Sequence, residues 1–161
     1  MGQFSLNISV DAPKEEVFRI FTDFENAPKR VRGISKLEVL TDGPVGVGTR
    51  FRETREMFKR EATEEMEITQ LTPGESYTVG CETCGCEYAT VFRFTPTRSG
   101  TDVEMQMTTR AISLFAKIMS PIMSLMMGPM MRKCMMQDMA DLKAAAEGKP
   151  VDTDGSAAND A

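Results

Sequence analysis

The sequence predicts an α+β fold in which a curved antiparallel sheet of six to seven strands wraps around a long C-terminal helix. Three observations predict it: strict apolar/polar alternation at the N-terminus, a series of strand-like segments between residues 34 and 110, and helical spacing of apolar residues from 112 to 147. Short connections join the consecutive strands. They are therefore expected to pair antiparallel, since parallel neighbours need crossover helices.

The N-terminal segment predicts one strand followed by a short helical excursion. Over residues 3–10 every second residue is apolar, the period of a strand with one buried face. Asp11 and Pro13 then suit the first turn of a helix. The apolar residues that follow recur at helical spacing and are Val17, Phe18, Phe21 and Phe24.

Turn residues divide the segment 34–110 into successive strands. The breaks are the Gly- and Pro-rich runs 42–48, 72–74 and 96–100. Apolar residues at alternate positions mark the strands between these breaks. They include Leu37, Val39, Phe51, Met57, Ala62, Met66, Ile68, Tyr77, Val79, Cys81, Tyr88, Phe92, Phe94, Val103, Met105 and Met107.

The final helix is rich in methionine and is predicted to begin between residues 113 and 122. Nine of the 14 methionines lie in it: Met119, Met123, Met126, Met127, Met130, Met131, Met135, Met136 and Met139. Pro121 and Gly128–Pro129 should start, kink or interrupt it. Methionine is flexible and polarizable, so a Met-rich helix closing a sheet predicts a cavity that adapts to varied apolar shapes.

The apolar stretch 112–131 raises the alternative of membrane insertion. Lys117, Pro121 and Gly128–Pro129 interrupt it, and two cations follow directly at Arg132–Lys133. A helix packed on the sheet is therefore the favoured interpretation, and no transmembrane segment is predicted. Transient contact of an exposed Met face with lipid stays open.

Length, charge and composition limit the class of protein. The 161 residues fit a single ligand-binding domain over 1–147, followed by a polar tail over 148–161 that is predicted to be disordered. A net charge of −5 without a basic stripe makes nucleic acid an unexpected partner. The N-terminus lacks the features of a signal peptide, so a cytoplasmic location with reduced cysteines is expected. The oligomeric state is left open.

The run Cys81–Cys86 holds three cysteines and is the one candidate metal site. A closed zinc site needs four ligands, and the chain contains no histidine to supply one. Packing of Cys81 and Cys86 on facing strands, with Cys84 in the turn, is the favoured alternative. We expect no metal and no cofactor.

Charged residues also fall on strand faces that alternation turns inward. If Phe51 faces the interior, Glu53 and Arg55 do so as well, and Glu64 shares the face of Met66. A lone buried charge is costly, so Arg55 is expected to pair with one of the two glutamates or to meet water or ligand. The alternative is a solvent-exposed surface pair.

Several runs resemble the polyketide cyclase/dehydrase and lipid-transport superfamily, also called SRPBCC or START-like. They are 10–18 (VDAPKEEVF), 22–28 (TDFENAP), 43–51 (GPVGVGTRF), 100–103 (GTDV) and 141–147. The resemblance spans roughly residues 3–147 and implies the helix-grip fold. Members of the family bind lipids, polyketides, hormones or chaperones, and some are enzymes, so fold alone does not choose a function.

The leading hypothesis is a non-catalytic carrier or sensor of an apolar or amphipathic small molecule. Its predicted ligand-binding residues on the sheet are Phe51, Glu53, Arg55, Met57, Glu64, Met66, Tyr88, Thr90, Phe92, Met105 and Met107. Those on the helix are Met119, Met123, Met126, Met127 and Met130.

Two alternatives remain. One is a cofactor-free cyclase or dehydratase, whose general base would be Glu64, Glu53 or Tyr88 because the chain has no histidine. The other is a protein-interaction module resembling the family's chaperone-cofactor branch. A filled interior would favour that second alternative, and a Met-lined cavity containing paired Arg and Glu would favour the carrier or the enzyme.

Overall fold

The computed structural model describes residues 2–57 and 59–150, without the side chains of Met57 and Ser124. Most of the predicted tail, residues 148–161, thus lies outside the described residues. Its disorder, and a single domain over 1–147, stay predictions.

Seven strands form one antiparallel sheet, as the sequence predicted. They are β1 (Gly2–Val10), β2 (Ile34–Val39), β3 (Arg50–Met57), β4 (Arg60–Thr72), β5 (Ser76–Thr83), β6 (Cys86–Pro96) and β7 (Thr101–Ala111). Their order across the sheet is β1-β7-β6-β5-β4-β3-β2. Strands β2 to β7 form a meander, and β1 joins it by pairing with β7. The two edge strands are therefore consecutive in the sequence.

Helical segments connect these two edge strands. They are α1 (Lys14–Thr22), a 3₁₀ turn (Phe24–Asn26) and α2 (Ala27–Arg30). α1 buries Val17, Ile20 and Phe21, the side that its apolar spacing predicts. The predicted helical excursion after the first strand is confirmed.

The last helix, α3 (Leu114–Ala146), begins within the predicted interval. Its N-cap is Ser113, whose side chain accepts a hydrogen bond of 3.0 Å from the backbone N–H of Ala116. Pro121 and Pro129 lie inside it, and Leu114–Met123 meets Leu125–Ala146 at 73°. Among the described residues no single helix is long and apolar enough to cross a membrane, and these two segments reach that length and composition only together.

The core fills the space between the concave sheet, α1 and the second half of α3. Alternate residues of β7, namely Val103, Met105 and Met107, are buried against it. An aromatic cluster adds to the core: Phe24 stacks on Phe51 with ring centroids 4.5 Å apart, and Tyr77 stacks on Phe92 at 4.8 Å. Alternation along the strands thus turns one face of the sheet inward over its whole width.

Candidate functional site

A cavity of about 590 Å³ lies between the sheet, the 3₁₀ turn with α2, and the second half of α3. Most of its wall is apolar. The apolar lining residues are Ile20, Phe21, Phe24, Ala27, Val31, Ile34, Leu37, Phe51, Ala62, Met66, Tyr77, Val79, Phe92, Met105, Met107, Met131, Cys134, Met135, Met139 and Leu142.

The sheet brings together the residues that alternation placed on one face. Those lining the cavity are Phe51, Glu53, Arg55, Glu64, Met66, Tyr88, Thr90, Phe92, Met105 and Met107. The side chain of Met57, which was also predicted, lies outside the described residues. The inward face follows from register, since Phe51 lies opposite Met66 and Glu53 lies opposite Glu64 in the pairing of β3 with β4.

The helix contributes other residues than those predicted. The predicted methionines that do not line the cavity are Met119, Met123, Met126, Met127 and Met130. In their place α3 presents a later stripe at three- and four-residue spacing, which consists of Met131, Cys134, Met135, Asp138, Met139 and Leu142. Periodicity identifies a face of a helix but not the turns at which that face meets the sheet.

A buried ion-pair cluster joins β3 to α3 at the cavity wall. Arg55 donates from Nη2 to Oδ2 of Asp138 at 2.6 Å and from Nε to Oε1 of Glu53. The three side chains are only 18%, 13% and 9% exposed, respectively. Arg55 therefore pairs with Glu53 inside the protein, and the alternative of a solvent-exposed surface pair is wrong for these residues.

Burial and pairing set the protonation of this cluster. Burial disfavours the guanidinium, but the adjacent carboxylates of Asp138 and Glu53 raise the pKa of Arg55. Burial also raises the pKa of Asp138, and the Arg55 guanidinium offsets only part of this effect. One cation is thus shared between two carboxyl groups, and burial biases that of Asp138 toward its protonated form.

The segment before β2 passes close to Arg55. A Cβ atom at Gly33 would lie 3.1 Å from Arg55 Nη1 and 3.5 Å from Asp138 Oδ1, so glycine leaves room for this pair. Next to it, the Arg32 guanidinium and backbone N–H both bind the buried Asp141 of α3, each at 3.0 Å. Two arginine–aspartate pairs therefore hold α3 in place, one against β3 and one against the segment before β2.

Other polar groups line the cavity on β4, β5 and β6. Glu64, Cys81, Tyr88 and Thr90 all contribute to its wall. Burial, with the nearby Glu64 and Glu53, raises the pKa of Cys81 to about 11. Burial is also the main cause of a raised pKa at Tyr88. At neutral pH both side chains are therefore neutral hydrogen-bonding groups, and Tyr88 is a poor general base.

The three clustered cysteines lie at the β5–β6 hairpin. Cys84 and Gly85 form its turn, both with positive φ (51° and 73°), the backbone of a type I′ turn. Cys81 faces Tyr88 and Cys86 faces Thr83 across the hairpin, and all four cysteines of the chain are free. Within residues 2–57 and 59–150 no group of three His, Cys, Asp or Glu side chains has the geometry of a metal site. The absence of a metal or cofactor stays a prediction.

Asp138 is the ion-pair partner of Arg55 that sequence reasoning missed. A signal for it exists: it stands four residues before Leu142 and three after Met135, in line with the apolar stripe. A single carboxyl on an apolar helix face needs a buried cation as partner, and Arg55 supplies it.

Comparison with known sequences identifies one family. The sequence model described as polyketide cyclase/dehydrase and lipid transport matches residues 1–147. No curated protein matches the sequence.

Solved structures share the fold at low sequence identity. TTHA0849 from Thermus thermophilus has a TM-score of 0.68 at 19% identity, over 91% of this chain and 95% of that one. The di-domain ARO/CYC protein StfQ from the steffimycin biosynthetic pathway has a TM-score of 0.74 at 16% identity, over 91% of this chain. BexL, the di-domain ARO/CYC protein of the BE-7585A pathway, has a TM-score of 0.69 at 20% identity, again over 91%. This chain covers 50% of StfQ and 47% of BexL, so it spans about half the length of each.

Proposed function

The chain belongs to the polyketide cyclase/dehydrase and lipid transport family, and we propose that it binds an apolar or amphipathic small molecule in the cavity between sheet and α3. The molecule is of lipid or polyketide type. The observation that carries this proposal is the cavity itself, with about 590 Å³ of space and a mainly apolar wall. Small-molecule sites in proteins usually have this size and combine apolar walls with a few placed polar groups.

The charges in the wall define the polar end of the ligand. Two arginines line the cavity, and each is already paired with carboxyl groups: Arg55 with Glu53 and Asp138, and Arg32 with Asp141. The carboxyl groups that line it are more numerous and belong to Asp23, Glu53, Glu56, Glu64 and Asp138. A ligand carboxylate would meet more negative than positive charge, which disfavours it. A hydroxyl, phenol or ketone is therefore the expected polar group, because the neutral Tyr88 phenol can donate a hydrogen bond to it.

Two adjacent methionines of α3 provide a matched test. Met135 lines the cavity, whereas Met136 is 55% exposed and does not. Met135→Glu should weaken binding of a long-chain alcohol at least about tenfold, because the bound ligand would exclude water from the new carboxylate, which is costly. Met136→Glu should bind like the wild type. Titration calorimetry measures both, and equal affinities in the two variants would contradict the proposed site.

The choice of polar group is tested separately with a matched pair of ligands. A long-chain alcohol and the fatty acid of the same chain length differ mainly in the charge of one end. We expect the alcohol to bind more tightly at neutral pH. Tighter binding of the fatty acid would refute the charge argument and leave the cavity site standing.

A second candidate function is a cofactor-free cyclase or dehydratase. The observation in its favour is the Asp138 carboxyl, whose raised pKa suits a general acid inside an apolar cavity. Glu64 is the remaining candidate base, since Glu53 is paired with Arg55. Substituting Glu64→Gln keeps shape and hydrogen-bonding capacity, so it should cut turnover of a polyketide-like substrate with little change in its binding. Equal turnover in wild type and variant would contradict this role.

The described cavity supports a small-molecule function over a protein-interaction module, for which a filled interior was the expectation. The cytoplasmic location and the absence of nucleic-acid partners stay predictions from composition.

A further inference from the structure

The first half of α3 carries an apolar face that points away from the cavity. Its side chains are between 54% and 82% exposed and recur along the helix every three or four residues, as single residues or adjacent pairs. They are Leu114, Phe115, Ile118, Ile122, Leu125 and Met126, which we call the α3 apolar face. Single exposed apolar residues are ordinary, but a contiguous row of large ones marks an interaction surface.

The charged residues that α3 carries up to residue 137 are all cations. Residues 111–137 contain Lys117, Arg132 and Lys133 and no aspartate or glutamate, in a chain whose net charge is −5. The preceding cation, Arg110, is paired with Glu87 of β6. Lys117, Arg132 and Lys133 are exposed. Large aliphatic and aromatic side chains flanked by cations are the composition of a helix that lies in the interface of an anionic membrane.

We propose that the α3 apolar face docks on the surface of an anionic membrane. A second copy of this chain would bring the same cations against each other, whereas anionic lipid headgroups complement them. The placement has a consequence for ligand transfer. The helix that inserts its first turns into the interface continues, beyond its 73° bend, into Met131 and Met135, which line the cavity. Membrane docking is thus a property separate from small-molecule binding, and it does not depend on which ligand the cavity holds.

Matched variants separate this face from general surface hydrophobicity. Ile118 on the face and Val47 in the connection between β2 and β3 are both 68% exposed. We expect the wild type to cosediment with vesicles of equal parts phosphatidylcholine and phosphatidylserine. Ile118→Asp should lower the partition coefficient about tenfold or more, since it removes an inserted side chain and adds a repelled charge. Val47→Asp should leave the coefficient unchanged.

Two matched charge reversals test the role of the cations. Lys117→Glu and Arg98→Glu each reverse one exposed cation, the first beside the α3 apolar face and the second in the turn between β6 and β7. Only Lys117→Glu should weaken partitioning, by about tenfold, and the weakening should disappear in vesicles of pure phosphatidylcholine. Melting curves and circular dichroism of each variant confirm that it is folded.

Several outcomes would overturn the proposal. The first is that the wild type does not cosediment with the mixed vesicles. The second is that Ile118→Asp and Val47→Asp partition equally. Analytical ultracentrifugation without vesicles supplies the third. A wild-type dimer that Ile118→Asp dissociates, together with no vesicle binding, would assign the face to contact between copies of the chain.

Discussion

Asp138 and Arg55 show how one residue decides the character of the cavity. Without Asp138, Arg55 would have one carboxylate partner and a spare set of donors facing the ligand. With it, the guanidinium is bound on two sides and nearly enclosed. The cavity therefore offers a ligand mainly apolar surface, carboxyl groups and neutral donors rather than an available positive charge.

Removing the cation should be costly. Arg55→Met leaves Asp138 and Glu53 in the cavity wall without their partner, and breaking a buried pair in this way typically costs about 3–5 kcal/mol. Denaturant unfolding of the wild type and the variant measures this loss. Arg55→Met combined with Asp138→Leu should recover part of it, because one of the two unpaired carboxyl groups is then removed. A double variant no more stable than Arg55→Met would contradict this account of the cluster.

The raised pKa of Asp138 predicts a pH dependence with a definite sign. A carboxyl whose pKa is higher in the folded state binds its proton more tightly there. Its contribution to the stability of the fold is therefore fully present below the pKa that it has in the unfolded state. That contribution is lost as the pH rises through the folded pKa. Relative to Asp138→Asn, the wild type should therefore lose stability as the pH increases from acid toward neutral. Unfolding free energies of both proteins across that pH range measure this loss. A difference in unfolding free energy that grows in favour of the wild type as the pH rises would contradict the prediction.

At the scale of elements, the β5–β6 hairpin positions the start of α3. The carbonyl of Gly85 accepts hydrogen bonds from the backbone N–H groups of Ile112 (2.8 Å) and Ser113 (3.1 Å). A Cβ atom at Gly85 would lie 2.3 Å from Oγ of Ser113, the N-cap of α3. Its φ of 73° also disfavours any residue with a side chain. This turn therefore locks the first turn of the long helix onto the sheet.

Substitutions of the two adjacent turn residues should differ sharply in their effect on stability. Gly85→Ala strains the backbone and collides with the helix cap, so we expect a loss of about 1–3 kcal/mol. Cys84→Ser changes an exposed side chain next to it and should leave the melting temperature nearly unchanged. Thermal melting of both variants in metal-free buffer measures this. A large loss in Cys84→Ser, or stoichiometric zinc or iron in the purified protein, would instead indicate that the cysteines are ligands.

The end of α3 is held to the start of the chain by Glu147. Its carboxylate accepts a hydrogen bond of 2.9 Å from the backbone N–H of Asp11 and pairs with Lys143 and Lys149. The Asp11 hydrogen bond, followed by those from the lysines, lowers the pKa of Glu147 to about 2. The stability from this contact is therefore present above the unfolded pKa and is lost as the pH falls toward 2. Glu147→Gln should be less stable than the wild type at neutral pH, and the gap should close in acid.

For the whole molecule, the cavity sets the strength and breadth of binding. Burying about 400 Å² of apolar ligand surface at about 25 cal/mol/Å² gives about 10 kcal/mol before costs. Association costs of about 4–15 kcal/mol leave an affinity nearer micromolar than picomolar. Flexible methionines in the wall allow several shapes to fit, so selectivity should be modest.

Ligand binding should therefore be visible as added stability. A long-chain alcohol or a flat polycyclic phenol at about 100 times its dissociation constant should stabilise the fold by about 2.7 kcal/mol. Thermal shift across a broad panel of apolar compounds measures it, with displacement of a fluorescent probe as the second readout. Absence of both responses across the panel would exclude the carrier hypothesis. Native mass spectrometry of protein from its own host identifies a ligand that copurifies.

The sequence by itself determined the fold and the inward face of the sheet. Alternation of apolar and polar residues has a period of two, which is a local property of a strand, and short turns leave only antiparallel pairing. It therefore placed Phe51, Glu53, Arg55 and Glu64 on one face, and the structure has them lining one cavity. The start of the long helix was predicted only within residues 113–122, and the structure places it at Leu114, after the N-cap Ser113.

Only the tertiary structure decided where α3 meets that sheet and which charges meet inside. The apolar spacing of α3 runs through all of its turns, so it does not distinguish Met126, which is exposed, from Met135, which lines the cavity. Pairing of Arg55 with Asp138 joins residues 83 positions apart. Periodicity along one element carries no information on such a distance. The position of a helix along its axis is fixed by long-range packing and ion pairs, which exist only once the chain has folded.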